Sequence, residues 1–414
     1  MRYKVFLHDV QAGVLTATDE GYSKVDFISS YIEYPNRPVL GQNFEDDLRK
    51  TYRGKGKRLP PFFANLVPEG ALRTLMEDTL HLPSGDDLAL LDAVQHDLPG
   101  AVRIEREADP QTSIEEKQAE LKRVAKETND AEHEGLRFSL AGVQMKFSVL
   151  QKDKRITVPG SSEYGAWLVK LDAPTFPKLV ENEFSMLQWA HEAGFDVPKI
   201  RLLRASDLPA SIRRHAPEGS RALQIKRYDR VEGERVHQED FNQVVGQDPR
   251  HKYDHIRYED LAVLARAIVG ESAYDEVVRR LVFMIATGNA DAHLKNWSLI
   301  YPDRINAALS PLYDQVATVA WHDKNLNQNW ALKFAGSKDP FQTNQATFER
   351  FAEKTTTSPQ HVQTLVEETL EQIAKTWSDI PARDLMLPHH ITALQTYWKR
   401  VPLLKPYASA LEVP

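Results

Sequence analysis

The chain of 414 residues contains no cysteine. Disulfides, thiolate nucleophiles and cysteine-based metal centres are therefore excluded, and a reducing compartment is the expectation. Basic charge is not in excess: 52 Lys and Arg stand against 59 Asp and Glu, a net charge of −7. Such a balance does not suit a dedicated nucleic-acid binder, which must neutralise phosphates. No apolar run approaches the ~20 residues of a membrane-spanning helix. The start, Met1 to Asp9, lacks the apolar core of a signal peptide. Gly-x-Ser-x-Gly, His-Glu-x-x-His and Gly-x4-Gly-Lys-Ser/Thr are all missing, so the hydrolase, zinc-peptidase and P-loop signatures find no match. The expectation is a cytoplasmic protein with no membrane association.

What is present suits a folded protein. Hydrophobic residues make up 42% and charged residues 27%, a composition unlike that of disordered chains, and the length calls for more than one core. Residues 1–104 read as short strands (Val5 to Leu7, Val25 to Ile28) and two helical stretches, one ending at Pro68-Glu69-Gly70 and one opened by Gly85-Asp86-Asp87. Pro99-Gly100 turns the chain into a strand, Ala101 to Ile104. The polar segment 105–135, where Ser113 and Glu116 have capping-box spacing, is the best internal boundary. From Phe138 to Lys170 the pattern is β, with strands at Lys146 to Leu150, Ile156 to Val158 and Trp167 to Lys170. Val180, Phe184, Leu187 and Ala190 mark one face of a helix stopping at Gly194. Leu223 to Ile225 is a further strand. Beyond 258 helices are expected at 259–268, 272–286, 360–377 and 388–399. The divisions expected are 1–104, 105–228 and 229–414.

The densest chemistry lies in Gly288-Asn289-Ala290-Asp291-Ala292-His293-Leu294-Lys295-Asn296, followed by Ser310-Pro311-Leu312-Tyr313-Asp314. Phosphoryl transfer uses a carboxylate to orient the attacking hydroxyl and oxygen ligands for Mg²⁺. Asp291, Asn296 five residues later and the following Asp314 have the order and spacing of such a set. The structural alternative is that Asp291 and Asn296 only cap helices or close turns. Trp321 and Trp330 fit a core and receive no role.

These segments resemble the HipA family of toxin–antitoxin kinases. Asn-Ala-Asp-Ala-His-Leu-Lys-Asn with Leu-Ser-Pro-Leu-Tyr-Asp is similar to its catalytic and metal-binding signature. Phe63 to Gly70, Pro99 to Val102, Phe138 to Lys146, Lys226 to Arg230 and Val236 to Phe241 resemble further family motifs in family order, over roughly residues 1–320. The resemblance implies an α+β fold: a bilobal, protein-kinase-like architecture with an extra N-terminal α+β subdomain and a mainly helical C-terminal lobe. It implies that Asp291 is catalytic and that Asn296 and Asp314 hold Mg²⁺. It implies that ATP meets Ala141, Gly142, Val143, Gln144, Met145 and Lys146 in a phosphate loop, Lys170 (with Glu183 or Glu181 as its ion-pair partner), and Lys226, Arg227 and Tyr228 at a hinge. His293, Lys295, Asn296, Tyr313 and Asp314 complete the nucleotide set, and His293 has a structural alternative, bonding the loop backbone.

Ser139 occupies the family's autophosphorylation position. The implied activity is that of a Ser/Thr kinase toxin whose substrate is an aminoacyl-tRNA synthetase of the glutamyl kind. The implied partner is a HipB-like helix-turn-helix antitoxin through which any DNA contact is made. A small-molecule kinase and a catalytically silent corepressor are the alternatives. Three departures from the family pattern stand out: Ala290 in place of glycine, and Met145 and Lys226 in place of acidic residues.

Overall fold

In a computed structural model the chain folds as two compact units, Met1–Leu171 with Leu203–His237, and Asp172–Leu202 with Gln238–Pro414. The structure describes all residues except 19, 57, 96, 108–143, 153–154, 158–164, 174, 325–327 and 412–414. The helix expected around Ser113 and Glu116 therefore lies outside the described residues.

The first unit opens with β1 (Arg2–Leu7), β2 (Val10–Ala17), β3 (Ser23–Phe27), β4 (Tyr52–Arg53) and β5 (Val102–Arg106), an antiparallel sheet of order β4-β3-β2-β1-β5. Period-2 alternation turns Tyr3, Val5 and Leu7 inward while Arg2 and Lys4 face water. Short helices pack Phe62, Phe63, Leu72, Leu90 and Leu91 into the same buried cluster, each worth roughly 1.5–3 kcal/mol when fully buried. The helix Asp87–Val94 starts where the acids foretold it. The Asp86 carboxylate accepts from the N–H groups of Leu88 and Ala89, both at 3.0 Å, satisfying donors that the first turn leaves open.

A second sheet follows, with β6 (Lys146–Lys152), β7 (Arg155–Thr157), β8 (Trp167–Leu171) and β10 (Arg221–Lys226) in the order β7-β6-β8-β10; Leu203 and Arg204, the end of β9 (Ile200–Arg204), extend it beside β10. A hairpin, β11 (Arg230–Val231) and β12 (Glu234–Arg235), comes after it.

The second unit is mainly helical. The helix Glu271–Thr287 is apolar on almost every side over its second half, as a helix surrounded by others must be. It packs against Tyr258–Ile268 and Pro359–Thr376. Trp189, Trp377 and Trp398 cluster beside it, with centroids 4.5 Å apart for the tilted pair Trp189–Trp377 and 5.4 Å for the edge-on pair Trp377–Trp398. The Trp398 indole N–H donates to the Ala286 carbonyl at 2.7 Å. Trp321 and Trp330 are buried. A three-stranded sheet, β13 (His237–Asp240, within this unit from Gln238), β14 (Ser298–Tyr301) and β15 (Ala308–Leu309), follows the order β13-β14-β15. Among the described residues no helix is long and apolar enough to cross a membrane.

Candidate active site

The segment richest in chemistry begins where the helix Glu271–Thr287 ends. Gly288 caps that helix in the left-handed region (φ 61°), its N–H donating to Ile285. A Cβ there would stand 2.7 Å from a Val319 methyl, so conformation and space both select glycine. The loop 288–296 then has its backbone tied at nearly every step. The Thr318 hydroxyl donates to the Gly288 carbonyl and accepts from the Ala290 N–H, both at 2.8 Å. Asn289, buried, accepts from the Asp291 N–H at 3.1 Å. The Asp291 carbonyl accepts from the His293 N–H at 2.8 Å and from Asn296 Nδ2 at 2.9 Å. Tyr258 and Trp297 both donate to the Ala292 carbonyl. Burial raises the Tyr258 phenol well above its ordinary value, and the charge of Asp291 pushes the same way.

Asp291, Asn296 and Asp314 belong to one framework. The Tyr313 hydroxyl donates to the Lys295 carbonyl at 2.9 Å and pairs with Ser298 Oγ at 2.6 Å. Arg280, held by Glu276, donates to the Ser310 carbonyl at 2.8 Å. Asp314 sits at φ 51°, a left-handed conformation that aspartate tolerates better than most residues. Asp291 is exposed, and its Oδ1 accepts from the Tyr253 hydroxyl at 2.7 Å.

His293 and Lys295 are also placed. The His293 ring meets Tyr253 edge-on at 5.0 Å. Lys295 Nζ lies 3.9 Å from the carboxylate of Asp240, which caps the helix Phe241–Val244. Ala290 is not among the residues with positive φ, so alanine carries no strain there.

On the helix Leu179–Glu192, Glu181 accepts from Lys178 at 2.7 Å, while Glu183 is fully buried. Asp172 accepts from the N–H groups of Lys178 and Leu179 at the start of this helix, and burial raises its carboxyl.

In the first unit Lys146 of β6 and Lys170 of β8 are register partners, and both are buried. Gln144 donates to the Leu171 carbonyl at 2.7 Å, and Met145 packs on the apolar core, which accounts for an apolar residue there. Lys226 lies over the Trp167 ring at 5.4 Å. Ala141, Gly142, Val143 and Ser139 lie outside the described residues.

At the hinge sequence the side chains are anything but free. Arg227 grips both oxygens of Asp229 at 2.9 and 2.8 Å and reaches Asp97 at 2.9 Å. Arg230 bonds Asp97, Leu98, Gly100 and Asp229, and the Gly100 N–H donates to Asp229 at 2.8 Å. Burial works against these charges, but Asp229 and Asp97 outweigh it and raise Arg227, while Arg227 and Arg230 hold Asp229 well below the usual carboxylate range. For Arg230, burial and the charge of Arg227 win instead and lower it. The Arg227 N–H is taken by the Ala166 carbonyl.

With this geometry in view, comparison with known proteins identifies the lineage. The HipA N-terminal domain model matches residues 3–105 and the HipA-like C-terminal domain model matches 138–377. The chain belongs to the HipA family. Among HipA relatives, the putative kinase Y4dM of Sinorhizobium fredii is 35% identical over 382 residues, 90% of each chain. The serine/threonine-protein kinase toxin HipA of Shewanella oneidensis is 24% identical over 315 residues, 69% of each. The solved complex of Shewanella oneidensis HipA, HipB and operator DNA contains a chain matching this one over the full length of both, with TM-score 0.73 and 20% identity. The α+β HipA kinase-like fold is thereby established.

Proposed function

We propose that this chain is an ATP-dependent Ser/Thr protein kinase. The observation that supports the reading is the tied loop carrying Asp291 and Asn296, joined by the Tyr313 hydroxyl to the segment that ends at Asp314. Asp291 accepts the proton of the attacking hydroxyl. Asn296, with Nδ2 engaged by the Asp291 carbonyl, keeps its amide oxygen for a cation, and Asp314 supplies a carboxylate. Hard oxygen donors of this kind fit Mg²⁺. Bound MgATP supplies the transferable phosphoryl group. Lys146 and Lys170 suit its phosphates. Gln144, Met145, Lys226, Arg227 and Tyr228 line the nucleotide through backbone groups, except that the Arg227 N–H is committed to Ala166. His293, Lys295 and Tyr313 hold the loop around it.

The biological role proposed is that of a cytoplasmic toxin with a HipB-like helix-turn-helix antitoxin as partner, DNA contact being made through that partner. Its substrate is an aminoacyl-tRNA synthetase, and Ser139 is phosphorylated by the kinase itself. The name of the Shewanella oneidensis relative and its crystallised complex support the kinase and the partner. The acidic balance of this chain agrees with a DNA contact made elsewhere. The functional divisions proposed are 1–104, 105–228 and 229–414. The test is phosphoproteomics of cells expressing wild type against Asp291→Asn. New phosphosites on a synthetase only with the wild type support the reading, and identical phosphoproteomes contradict it.

A further inference from the structure

Tyr253 lies outside every motif discussed so far, on the loop that precedes the helix Tyr258–Ile268. That loop meets the segment carrying Asp291 at three points. The Lys252 carbonyl accepts from the Leu294 N–H at 3.2 Å. The Tyr253 ring stands edge-on to His293, with centroids 5.0 Å apart and an interplanar angle of 80°. The Tyr253 hydroxyl donates to Asp291 Oδ1 at 2.7 Å.

The loop's own shape is set locally. The Asp248 carboxylate accepts from the Arg250 N–H at 3.0 Å, and the His251 carbonyl accepts from the Asp254 N–H at 2.9 Å. Lys338 donates to the carbonyls of Ala331, at 2.7 Å, and Tyr253, at 3.4 Å. Tyr253 is 38% exposed and Asp291 is exposed. Water could satisfy both groups at this surface, so burial does not force them together. The docked loop does.

We infer that Tyr253 is the positioning residue of Asp291, an inference that rests on reading Asp291 as the base. The terminal torsion of an aspartate is soft, whereas a base must stand within about 2.6–3.2 Å of the proton it takes. A phenol fixed on Oδ1 at 2.7 Å restrains the plane of the group. Tyr253 bonds neither substrate nor nucleotide in this scheme and acts through Asp291 alone. Its proton stays on the phenol while the acceptor's proton passes to the carboxylate. Charged and titratable groups at this contact include His293, edge-on to Tyr253, Lys252, whose Nζ lies 5.5 Å from the Tyr253 ring centre, and Tyr258, which donates to the Ala292 carbonyl.

The experiment compares wild type with Tyr253→Phe, which keeps the ring against His293, and Tyr253→Ala, which loses it. Phosphoryl transfer from MgATP to protein is measured across pH, with the melting temperature of each variant. In parallel, carboxyl ¹³C NMR follows Asp291, its signal identified as the one lost in Asp291→Asn. For Tyr253→Phe, kcat is expected to fall about 10- to 100-fold, the range of a hydrogen bond to a charged group. KM for ATP stays within about twofold and the melting temperature is unchanged. Loss of the donor changes the Asp291 carboxyl ¹³C shift at fixed neutral pH, while KM for ATP is preserved.

Unchanged kcat and an unmoved Asp291 carboxyl shift overturn the inference. So does a rate increase, which would make Tyr253 a block on the site, or a loss of rate matched by lower melting temperature and weaker ATP binding. Absence of transfer by the wild type sinks the kinase reading itself, and the NMR arm then still decides the Tyr253–Asp291 contact.

Discussion

The side-chain amide of Asn296 donates to the backbone carbonyl of Asp291 at 2.9 Å. Its nitrogen closes the loop that presents Asp291, and in the proposed reading its oxygen serves a cation. Asn296→Asp keeps an oxygen but places a carboxylate against a carbonyl, so transfer is expected to fall on the order of 10²-fold even at saturating Mg²⁺. Asn296→Ala loses both contributions and should in addition raise the Mg²⁺ concentration needed for ATP binding. Steady-state transfer assays over a Mg²⁺ series check both, and rates within a fewfold of wild type would show that the contact is incidental.

Asp314 stands at φ 51°. Alanine in that conformation costs roughly 1–2 kcal/mol, so Asp314→Ala should lower stability as well as cation binding, whereas Asp314→Asn should spare the fold. In ATP titrations with and without Mg²⁺, Asp314→Asn is expected to weaken the Mg²⁺-dependent binding selectively. Equal loss in both titrations would make Asp314 a purely structural residue.

How much of this was legible in the sequence depends on the range of the signal. Periodicity located the helix Glu271–Thr287 and the strand Trp167–Leu171 within a residue or two, because apolar spacing is a local property. The helix Gln345–Lys354 escaped, as its polar face outnumbers the apolar positions Phe348 and Phe351. The spacing of Asp291 and Asn296 was readable, being a matter of one loop, and Asp314 follows after two short strands. Tyr253 was not, since nothing near it in sequence signals a partner 38 residues away. Asn289 offered a faint signal: an asparagine two residues before Asp291 has the spacing of an Asx turn. The hinge sequence and the Pro99-Gly100 turn were each noticed as motifs, yet their union through Asp229 and Arg230 is a tertiary fact.

That union makes a stability prediction. Asp229→Ala leaves Arg227 and Arg230 buried with one carboxylate, Asp97, between them. Removing one partner of a buried ion network costs about 3–5 kcal/mol, and urea unfolding of the first unit should show a loss of that size. A change under about 1 kcal/mol would mean the network is solvated or rearranges freely.

His237 gives a pH signature. Its Nε2–H donates to the Leu40 carbonyl at 2.8 Å while Nδ1 accepts from the Ala101 N–H at 3.4 Å, so the neutral imidazole fits and the charged one does not. Burial lowers its pKa to about 4, against roughly 6.5 when unfolded. Because the folded value is depressed, its stabilising contribution is full above about pH 6.5 and is lost as pH falls toward 4. The loss reaches about 3 kcal/mol. His237→Gln, which can still donate and accept, should flatten the stability curve across that window, and an unchanged slope would assign the acid sensitivity to other groups.

The central claim is that Asp291 makes this chain a protein kinase. Purified wild type and Asp291→Asn, incubated with MgATP and analysed by intact-mass and peptide mass spectrometry, test it most directly. Phosphate on wild-type protein, Ser139 first, with none on Asp291→Asn of equal melting temperature is the predicted result. Equal labelling of the two proteins would contradict the account, as would a wild type that binds MgATP and transfers nothing to itself or to any added protein.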